Sequence, residues 1–277
     1  MKVAILGSNV EALLAAYTAK QLNCNVRIFT TNNTSPKPNP NRTNNFTTES
    51  LDSSIFDNLC DKPSKVHLFK AEPENIVKKS NLADLVFANL PCFSTNQESF
   101  DAWNLDYIES RLFTETFDDV VLCNVMNEAL VEDIRNSGSD IIISTVPLSE
   151  ICKNPAHSFP LLTTTGTFRD WGFEIDPLND FPYIYWNGKI SGSSWFRVSY
   201  TFGRIFTEYP STIRPPYIRS DELFPVEYPN NTTCNCNPDI LRIGNWGNWS
   251  SGYCDRSLLK IYNKIRQAIR TFNGGLN

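Results

Sequence analysis

The beginning of the chain shows a regular succession of apolar and mixed segments. Lys2–Gly7 is a short apolar run that ends in glycine, and it predicts a strand that is buried on both faces. Val10–Leu22 is rich in alanine and leucine and predicts a helix, and Asn25–Phe29 predicts a second strand. A strand, a glycine turn, a helix and a strand within about thirty residues have the size of one β-α-β unit.

Beyond this unit the sequence first lacks a regular pattern and then again predicts strands and helices. Thr30–Thr48 is rich in Asn, Thr and Pro, which predicts a loop. Apolar or alternating runs predict strands at Leu82–Leu90, Asp119–Cys123, Asp140–Pro147, Phe181–Asn187, Trp195–Tyr209 and Leu241–Gly244. Helices are predicted at Ala102–Phe113, Glu128–Ser137 and Ser257–Phe272. The last is amphipathic, with one side formed by Leu258, Ile261, Ile265, Ile269 and Phe272.

Composition and charge narrow the function classes. Hydrophobic residues make up 41% and charged residues 20% of the 277 residues, so the chain can bury a sizeable core. The net charge of −5 gives no argument for non-specific nucleic-acid binding, although a nucleotide substrate stays open. We expect a cytoplasmic protein without a membrane anchor. No apolar run has the length of a bilayer span, and Met1–Gly7 lacks the regions of a signal peptide.

The eight cysteines are expected to be reduced thiols in such a compartment. Cys234 and Cys236, with Cys254 further on, raise the question of a metal site. A single residue between two cysteines is not the spacing of a zinc knuckle, and no histidine is near in the sequence. The sequence therefore predicts buried or incidental thiols and no metal site.

The turn after the first strand corresponds to the dinucleotide fingerprint G-x-G-x-x-G. Gly7 keeps the tight turn, Asn9 replaces the second glycine, and Ala12 is an accepted variant of the third. Asn tolerates a positive φ better than most residues, so the turn can survive at this position. A diphosphate would lie at the helix N-terminus, where N–H groups and the helix dipole favour anions. The Glu11 carboxylate is therefore expected to point outward.

The acidic residue that follows the second strand in this fingerprint is absent. Thr30 and Thr31 stand in its place, and a hydroxyl bonds a ribose more weakly than a carboxylate does. On the fingerprint alone, a β-α-β unit that binds no nucleotide is an open alternative.

Later blocks of the sequence resemble known flavoproteins. Asp140–Leu148 resembles the strand with which the chain re-enters the FAD domain of amine-oxidase-like flavoproteins. Leu241–Trp249 resembles the element before the last helix of short phage-type flavin oxidoreductases. Four further blocks resemble UDP-galactopyranose mutase in their order, namely Tyr185–Gly188, Trp195–Ser199, Phe202–Arg204 and Glu208–Pro210.

The resemblance implies FAD as the cofactor and an α/β fold. A Rossmann-like FAD-binding domain would comprise residues 1–50, 118–160 and 238–277, and a small mixed or antiparallel β substrate lobe would comprise residues 51–117 and 161–237. The residues that it implies around the cofactor are Gly7, Ser8, Asn9, Val10, Glu11, Ala12, Thr30, Thr145, Pro147, Gly244, Asn245, Trp246 and Gly247.

Catalytic residues have no recognisable motif, because the chain contains no G-x-S-x-G, P-loop or H-E-x-x-H. Arg197 and Arg204 are candidates for anion contacts, since a guanidinium fork matches phosphate or carboxylate; solvated arginines are the alternative. His157 is a candidate proton carrier, and a loop histidine without a role is the alternative. The aromatic residues that could wall a flavin or pack in a core are Trp186, Trp195, Phe196, Trp246 and Trp249.

Three functions are compatible with these features. The first is an FAD-dependent enzyme, redox or non-redox, that acts on a small, anionic or nucleotide-type substrate. The second is an FAD-dependent lyase or oxidase of a phage pathway that modifies nucleotides or DNA bases, which would operate in the host cytoplasm. The third is a non-catalytic, degenerate Rossmann-like binding module, which Asn9 and the missing carboxylate motivate.

Overall fold

The computed structural model describes residues 1–31, 46–47, 59, 62–71, 98–168, 183–187, 197–210, 222–250 and 257–274. The chain divides into two compact units. Unit 1 comprises Met1–Pro38, Asp106–Pro160 and Pro229–Asn277, and unit 2 comprises Asn39–Leu105 and Leu161–Tyr228. One boundary between the two units follows residue 160, where a domain boundary was also expected. The other breaks, after residues 38, 105 and 228, fall earlier than the expected 50, 117 and 237.

Unit 1 is built around a parallel sheet, which has five strands in the described part of the chain. Numbered in chain order, they are β1 (Lys2–Leu6), β2 (Asn25–Thr30), β6 (Val120–Leu122), β7 (Ile141–Ser144) and β13 (Ile240–Arg242). The strand order is β13-β7-β1-β2-β6, and each neighbouring pair is parallel. Strands in such a sheet are covered on both faces, which explains the continuous apolar runs in β1 and β7.

The helices belong almost entirely to unit 1. They are α1 (Val10–Gln21), α2 (Leu105–Thr116), α3 (Glu128–Asn136), α4 (Leu148–Ile151), α5 (Gly244–Asn248) and α6 (Leu258–Gly274), with a short 3-10 helix at Phe117–Asp119. Within the described residues, none of them combines the length and the apolar character that crossing a membrane requires.

Helix α1 is buried almost all round, whereas α6 is buried along one stripe. Small alanine side chains let α1 approach the sheet, and α6 packs against α1. The stripe of α6 consists of the predicted residues Leu258, Ile261, Ile265 and Ile269, while Phe272 is half-buried. A hydrophobic core cluster of unit 1 is formed by Ala4, Leu6, Met126, Val131, Ile134, Ile142, Val146, Leu148, Ile151, Cys234, Ile240 and Trp249.

Unit 2 contains a larger sheet. Its strands are β3 (Phe46–Thr47), β4 (Ser64–Ala71), β5 (Glu98–Asn104), β8 (Leu161–Thr167), β9 (Tyr183–Asn187), β10 (Arg197–Thr201), β11 (Arg204–Pro210) and β12 (Phe224–Pro229). Their order in the sheet is β12-β8-β11-β10-β9-β4-β5-β3. Strands β4 and β9 pair in parallel, whereas β10 pairs with both β9 and β11 in antiparallel fashion.

Two predicted elements of the sequence analysis need correction. The helix predicted from Ala102 begins only at Leu105, because residues 102–104 complete β5. The segment Trp195–Tyr209 is a hairpin, in which Phe202 and Gly203 form the turn with φ values of 49° and 76°. Two consecutive positive φ values match the twist of a tight hairpin. The strand predicted at Leu82–Leu90 lies outside the described residues.

Candidate cofactor site and a cysteine–histidine cluster

The carboxyl ends of β1 and β7 mark the place where the strand order of unit 1 reverses. From β1 the chain continues to β2 and β6 on one side, and then to β7 and β13 on the other. In open parallel sheets, ligands bind outside the carboxyl ends of the strands at such a reversal. The turn after β1 and the residues after β7 and β13 therefore form the candidate site.

Gly7 is required at this turn for two reasons. Its φ of +109° is a conformation that side-chain-bearing residues rarely adopt. A Cβ atom at this position would also lie 2.2 Å from the hydroxyl oxygen of Thr145, which follows β7. The Thr145 hydroxyl itself donates a hydrogen bond to the carbonyl oxygen of Leu6 at 3.0 Å. The predicted site residues Gly7 and Thr145 are thus in direct contact.

Asn9 occupies its position for a reason other than the one that the sequence suggested. Its φ is −74°, so the tolerance of asparagine for positive φ is not used. Asn9 is the N-cap of α1, and its side-chain oxygen accepts the backbone N–H of Ala12 at 3.0 Å. The N–H groups of Val10 and Glu11, at the first two helical positions, have no acceptor within the helix and remain suited to an anion.

Thr30 joins the end of β2 to the same turn. Its hydroxyl is buried and donates a hydrogen bond to the hydroxyl oxygen of Ser8 at 3.0 Å. The threonine that replaces the expected carboxylate therefore helps to hold the turn. A ribose contact through Thr30 stays a prediction.

Glu11 does not point away from the site as expected. A Cβ atom on Gly244 would lie 3.4 Å from the Glu11 Cγ and 3.6 Å from its Cδ. Gly244 begins α5 directly after β13 and has a φ of +71°. The Glu11 side chain therefore lies beside another predicted site residue, where its negative charge opposes an anionic ligand.

Two buried polar side chains near the ends of β7 and β13 have no hydrogen-bond partner among the described residues. The side chain of Asn245 uses neither its amide oxygen nor its nitrogen, although the residue is only 5% exposed. The hydroxyl of Ser144, the last residue of β7, is also buried without a hydrogen-bond partner. An unsatisfied buried polar group costs about 1–3 kcal/mol. A ligand with hydrogen-bonding groups would remove this cost.

The other predicted residues of this region have packing roles. A Cβ atom on Gly247 would lie 2.5 Å from the Ser144 carbonyl oxygen, so glycine lets α5 approach β7. Trp246 packs edge-on against Trp249, whose ring contacts Phe159. Pro147 precedes α4 at its N-cap position. Of the predicted flavin wall, the side chains of Trp186, Trp195 and Phe196 lie outside the described residues.

The two candidate arginines belong to unit 2. Arg197 is buried, and its Nη2 atom lies 2.7 Å from Oε2 of Glu208, the residue directly opposite on β11. The other Glu208 oxygen accepts hydrogen bonds from the hydroxyls of Thr164 and Tyr228 at 2.5 and 2.7 Å. The pair Arg197–Glu208 is therefore part of the sheet interior, and Arg197 is not a solvated arginine. An anion contact through Arg197 stays a prediction.

Arg204 lies at the other end of the same hairpin. It stands opposite Thr201 in the register and next to the turn, and its guanidinium carbon lies 5.5 Å from the centre of the Phe168 ring. The two arginines are thus separated along the strands of the hairpin. Arg204 remains a candidate for an anion contact.

His157 lies in a cluster with three cysteines of unit 1. Its Nδ1 atom is 3.2 Å from the Cys152 Sγ and 3.9 Å from the Cys236 Sγ. The Cys152 Sγ is 3.5 Å from that of Cys234 and 3.8 Å from that of Cys236. All four ligand atoms lie within 4.8 Å of one another. Cys234 and Cys236 were considered as metal ligands from the sequence and His157 as a proton carrier, but Cys152 was not identified. The four residues were not predicted to meet, because they come from two separate loops.

The pKa values of two thiols of this cluster, Cys152 and Cys236, are shifted. Burial raises the pKa of the Cys152 thiol to about 11. Burial also acts against the Cys236 thiolate, but hydrogen bonds from the Cys234 and Cys152 thiols and from backbone groups outweigh it. The pKa of Cys236 is therefore lowered.

No family model and no curated protein match this sequence. Solved structures do match its fold. A reduced UDP-galactopyranose mutase matches with a TM-score of 0.53 and 11% identity, over 98% of this chain and 96% of its own. The expected Rossmann-like α/β fold is confirmed.

Two further structures show the same fold. A flavin-dependent brominase matches with a TM-score of 0.55 and 10% identity, over 97% of this chain and 78% of its own. A geranylgeranyl bacteriochlorophyll reductase-like protein from Thermoplasma acidophilum matches with a TM-score of 0.54 and 10% identity, over 98% of this chain and 79% of its own. At these identities, the likeness concerns the fold alone.

Proposed function

We propose that the chain is an FAD-binding flavoenzyme whose unit 1 holds the dinucleotide. The observation that carries the proposal is the combination, at the strand-order reversal, of a glycine turn with buried polar groups that lack partners. Gly7 cannot carry a side chain, and Asn245 and Ser144 have no partner within the described residues. Both features are expected where backbone and side chains are arranged around a ligand.

The residues present fit FAD in three respects. The N–H groups at the start of α1 suit the diphosphate, because they lack intrahelical acceptors. The amide of Asn245 can both donate to and accept from a polar group of the cofactor. The Thr30 hydroxyl at the end of β2 is the nearest substitute for the ribose-binding carboxylate. Bound FAD would supply hydride or electron transfer, while the chain would orient it and exclude water.

The comparisons support a flavoenzyme without defining its reaction. One matching fold belongs to a flavin-dependent brominase and another to a UDP-galactopyranose mutase. We propose redox or non-redox flavin chemistry on a small, anionic or nucleotide-type substrate. Arg204 is the better anion-binding candidate, since Arg197 already neutralises Glu208. A role in phage nucleotide or DNA-base modification stays a prediction from the sequence.

Identification of the cofactor tests this proposal. The full chain is purified under native conditions, denatured, and the released small molecules are identified by absorbance and mass spectrometry. We expect FAD at a substantial fraction of the protein concentration, or FAD binding by the purified protein in a fluorescence titration. Absence of both retention and binding by folded protein would refute the assignment.

A non-catalytic, degenerate binding module is the second candidate. The Glu11 carboxylate beside Gly244 favours it, because a negative charge at this place weakens diphosphate binding. Replacement of Glu11 by Gln distinguishes the two functions. If the site is a weak flavin site, the substitution tightens FAD binding; if unit 1 does not bind FAD, the substitution has no effect on it.

A further inference from the structure

We propose that Cys152, His157, Cys234 and Cys236 bind a structural Zn²⁺ ion in unit 1. Three sulfur atoms and one imidazole nitrogen are the ligand set of a closed, tetrahedral zinc site. Their atoms lie within 4.8 Å of one another. The cluster is separate from the candidate FAD residues, so the proposal does not depend on the proposed function.

The distances in the cluster agree with tetrahedral coordination. Zinc–sulfur bonds of about 2.3 Å and a zinc–nitrogen bond of about 2.05 Å place two sulfurs about 3.8 Å apart, and a sulfur and a nitrogen about 3.6 Å apart. Two of the three sulfur pairs are 3.5 and 3.8 Å apart, two of the three nitrogen–sulfur distances are 3.2 and 3.9 Å, and all four atoms lie within 4.8 Å of one another. One central ion therefore reaches all four atoms once the side chains close around it.

The backbone around two of the cysteines is fixed by neighbouring side chains. The Arg242 guanidinium donates hydrogen bonds to the carbonyl oxygens of both Cys234 and Cys236. The Asn237 amide nitrogen donates to the carbonyl oxygen of Ile151, the residue before Cys152, at 2.7 Å. These bonds hold the two ligand loops together. Arg242 also brings a positive charge near a site that would carry a net negative charge, from three thiolates and one divalent ion.

The position of the cluster in the chain indicates a structural role. Cys152 and His157 lie just before the chain enters the unit 2 segment Leu161–Tyr228, and Cys234 and Cys236 lie just after it. The stretches of chain before and after this segment are also joined by a hydrogen bond, which the Asn230 N–H donates to the Pro160 carbonyl oxygen at 3.0 Å. A metal ion would hold together the two stretches of unit 1 that flank this long segment. With four protein ligands, no coordination position remains for a substrate.

Metal analysis of the wild-type chain is the first test. The full-length protein is purified from zinc-supplemented cells, and zinc and iron are measured by mass spectrometry. We expect about one zinc ion per chain. Replacement of zinc by Co²⁺ should produce the visible and thiolate charge-transfer absorption of a tetrahedral cobalt–thiolate site. Flavin is measured on the same samples and has no bearing on this result.

The location of the ion is tested without any mutation. Alkylation with iodoacetamide, followed by peptide mapping, is compared before and after chelation. Cys152, Cys234 and Cys236 should become reactive only after chelation. Cys24 and Cys123, which are free thiols outside the cluster, should react to the same extent in both conditions.

Matched variants complete the test. Cys234→Ser should lose the zinc, whereas Cys123→Ser, which replaces another thiol packed against the same core cluster, should retain it. Arg242→Met should weaken zinc binding about 10- to 100-fold, as loss of an outer hydrogen-bonding partner commonly does.

Three outcomes would overturn the proposal. The first is wild-type protein without zinc whose cluster thiols alkylate as readily as Cys24. The second is an intact mass lower by two hydrogens, with two cluster thiols joined in a disulfide. The third is iron in place of zinc in protein from zinc-supplemented cells. All three are measured on the wild-type chain, so the test does not require that a variant folds.

Discussion

Units 1 and 2 both bury polar side chains in a sheet, but they satisfy them differently. In unit 2, Arg197 and Glu208 face each other across two strands, and the carboxylate also accepts hydrogen bonds from two hydroxyls. In unit 1, Asn245 and Ser144 are equally buried, yet their side chains have no partner within the described part of the chain. A buried carboxylate that the protein itself supplies with a counter-ion and two hydroxyl donors serves folding, whereas buried polar side chains without any partner indicate a binding site.

The largest expected effect comes from breaking the buried ion pair of unit 2. Arg197→Met leaves the buried Glu208 carboxylate without its counter-ion, which should lower the free energy of unfolding by about 3–5 kcal/mol. Urea unfolding measures this change. Arg204→Met, on the same hairpin but only half-buried, serves as the control and should change stability little. Equal effects of the two substitutions would contradict a special role for the buried pair.

A smaller loss is expected at the glycine turn of unit 1. Gly7→Ala combines an unfavourable φ with a Cβ atom 2.2 Å from the Thr145 hydroxyl, and we expect a loss of about 1–3 kcal/mol together with loss of FAD retention. Gly138→Ala is the matched control, because Gly138 also has a positive φ, of +78°, but no atom within 4 Å of the added Cβ. If Gly7→Ala folds and retains FAD as the control does, the turn is not the cofactor site.

Asn245→Ala should lower the affinity for FAD without lowering the stability of the protein. The substitution removes hydrogen-bonding groups that the folded protein does not use, so stability without flavin should not fall. FAD affinity should decrease about tenfold, which corresponds to about 1.4 kcal/mol. Asn237→Ala provides the contrast, since this asparagine is also 5% exposed but its amide bonds to Ile151 and Arg135. Asn237→Ala should therefore lower the free energy of unfolding. A similar decrease in Asn245→Ala would show that Asn245 has a structural role.

The smallest expected effect is at the cap of α1. Asn9→Gly removes the side-chain bond to the Ala12 N–H and should cost a few tenths of a kcal/mol. Asn127→Gly is the control, because Asn127 caps α3 through the same 3.0 Å bond, to Leu130. FAD affinity should be retained or increased, because the Ala12 N–H is released for the diphosphate. A selective loss of FAD affinity in Asn9→Gly would indicate that the Asn9 side chain contacts the cofactor.

The sequence predicted unit 1 better than unit 2 for a physical reason. Strands such as Ile141–Ser144 are covered on both faces and therefore appear as continuous apolar runs. In unit 2, Ser64–Ala71 and Leu161–Thr167 mix polar and apolar residues, and their partners are distant in the sequence. Pairing of such strands depends on the whole sheet, which local pattern does not reveal.

For the candidate sites too, local sequence pattern predicted contiguous residues but not contacts between distant ones. The turn at Gly7 was predicted, because its residues are contiguous and follow a strand. The capping role of Asn9 and the pairing of Arg197 with Glu208 were not predicted, since both depend on geometry. The cysteine–histidine cluster is the clearest case. Cys234 and Cys236 do not have the spacing of a zinc knuckle, and only the fold places Cys152 and His157, which are distant in the sequence, beside them.

Strand β13 has a consequence for protein synthesis. During translation β7 is synthesised first, then the whole Leu161–Tyr228 segment of unit 2, and only then Ile240–Arg242. Until that moment, the outer edge of β7 lacks its neighbouring strand, and an apolar strand with an open edge is prone to aggregate. Nascent chains that end before Ile240 should therefore depend on chaperones, and the dependence should disappear once β13 has been synthesised.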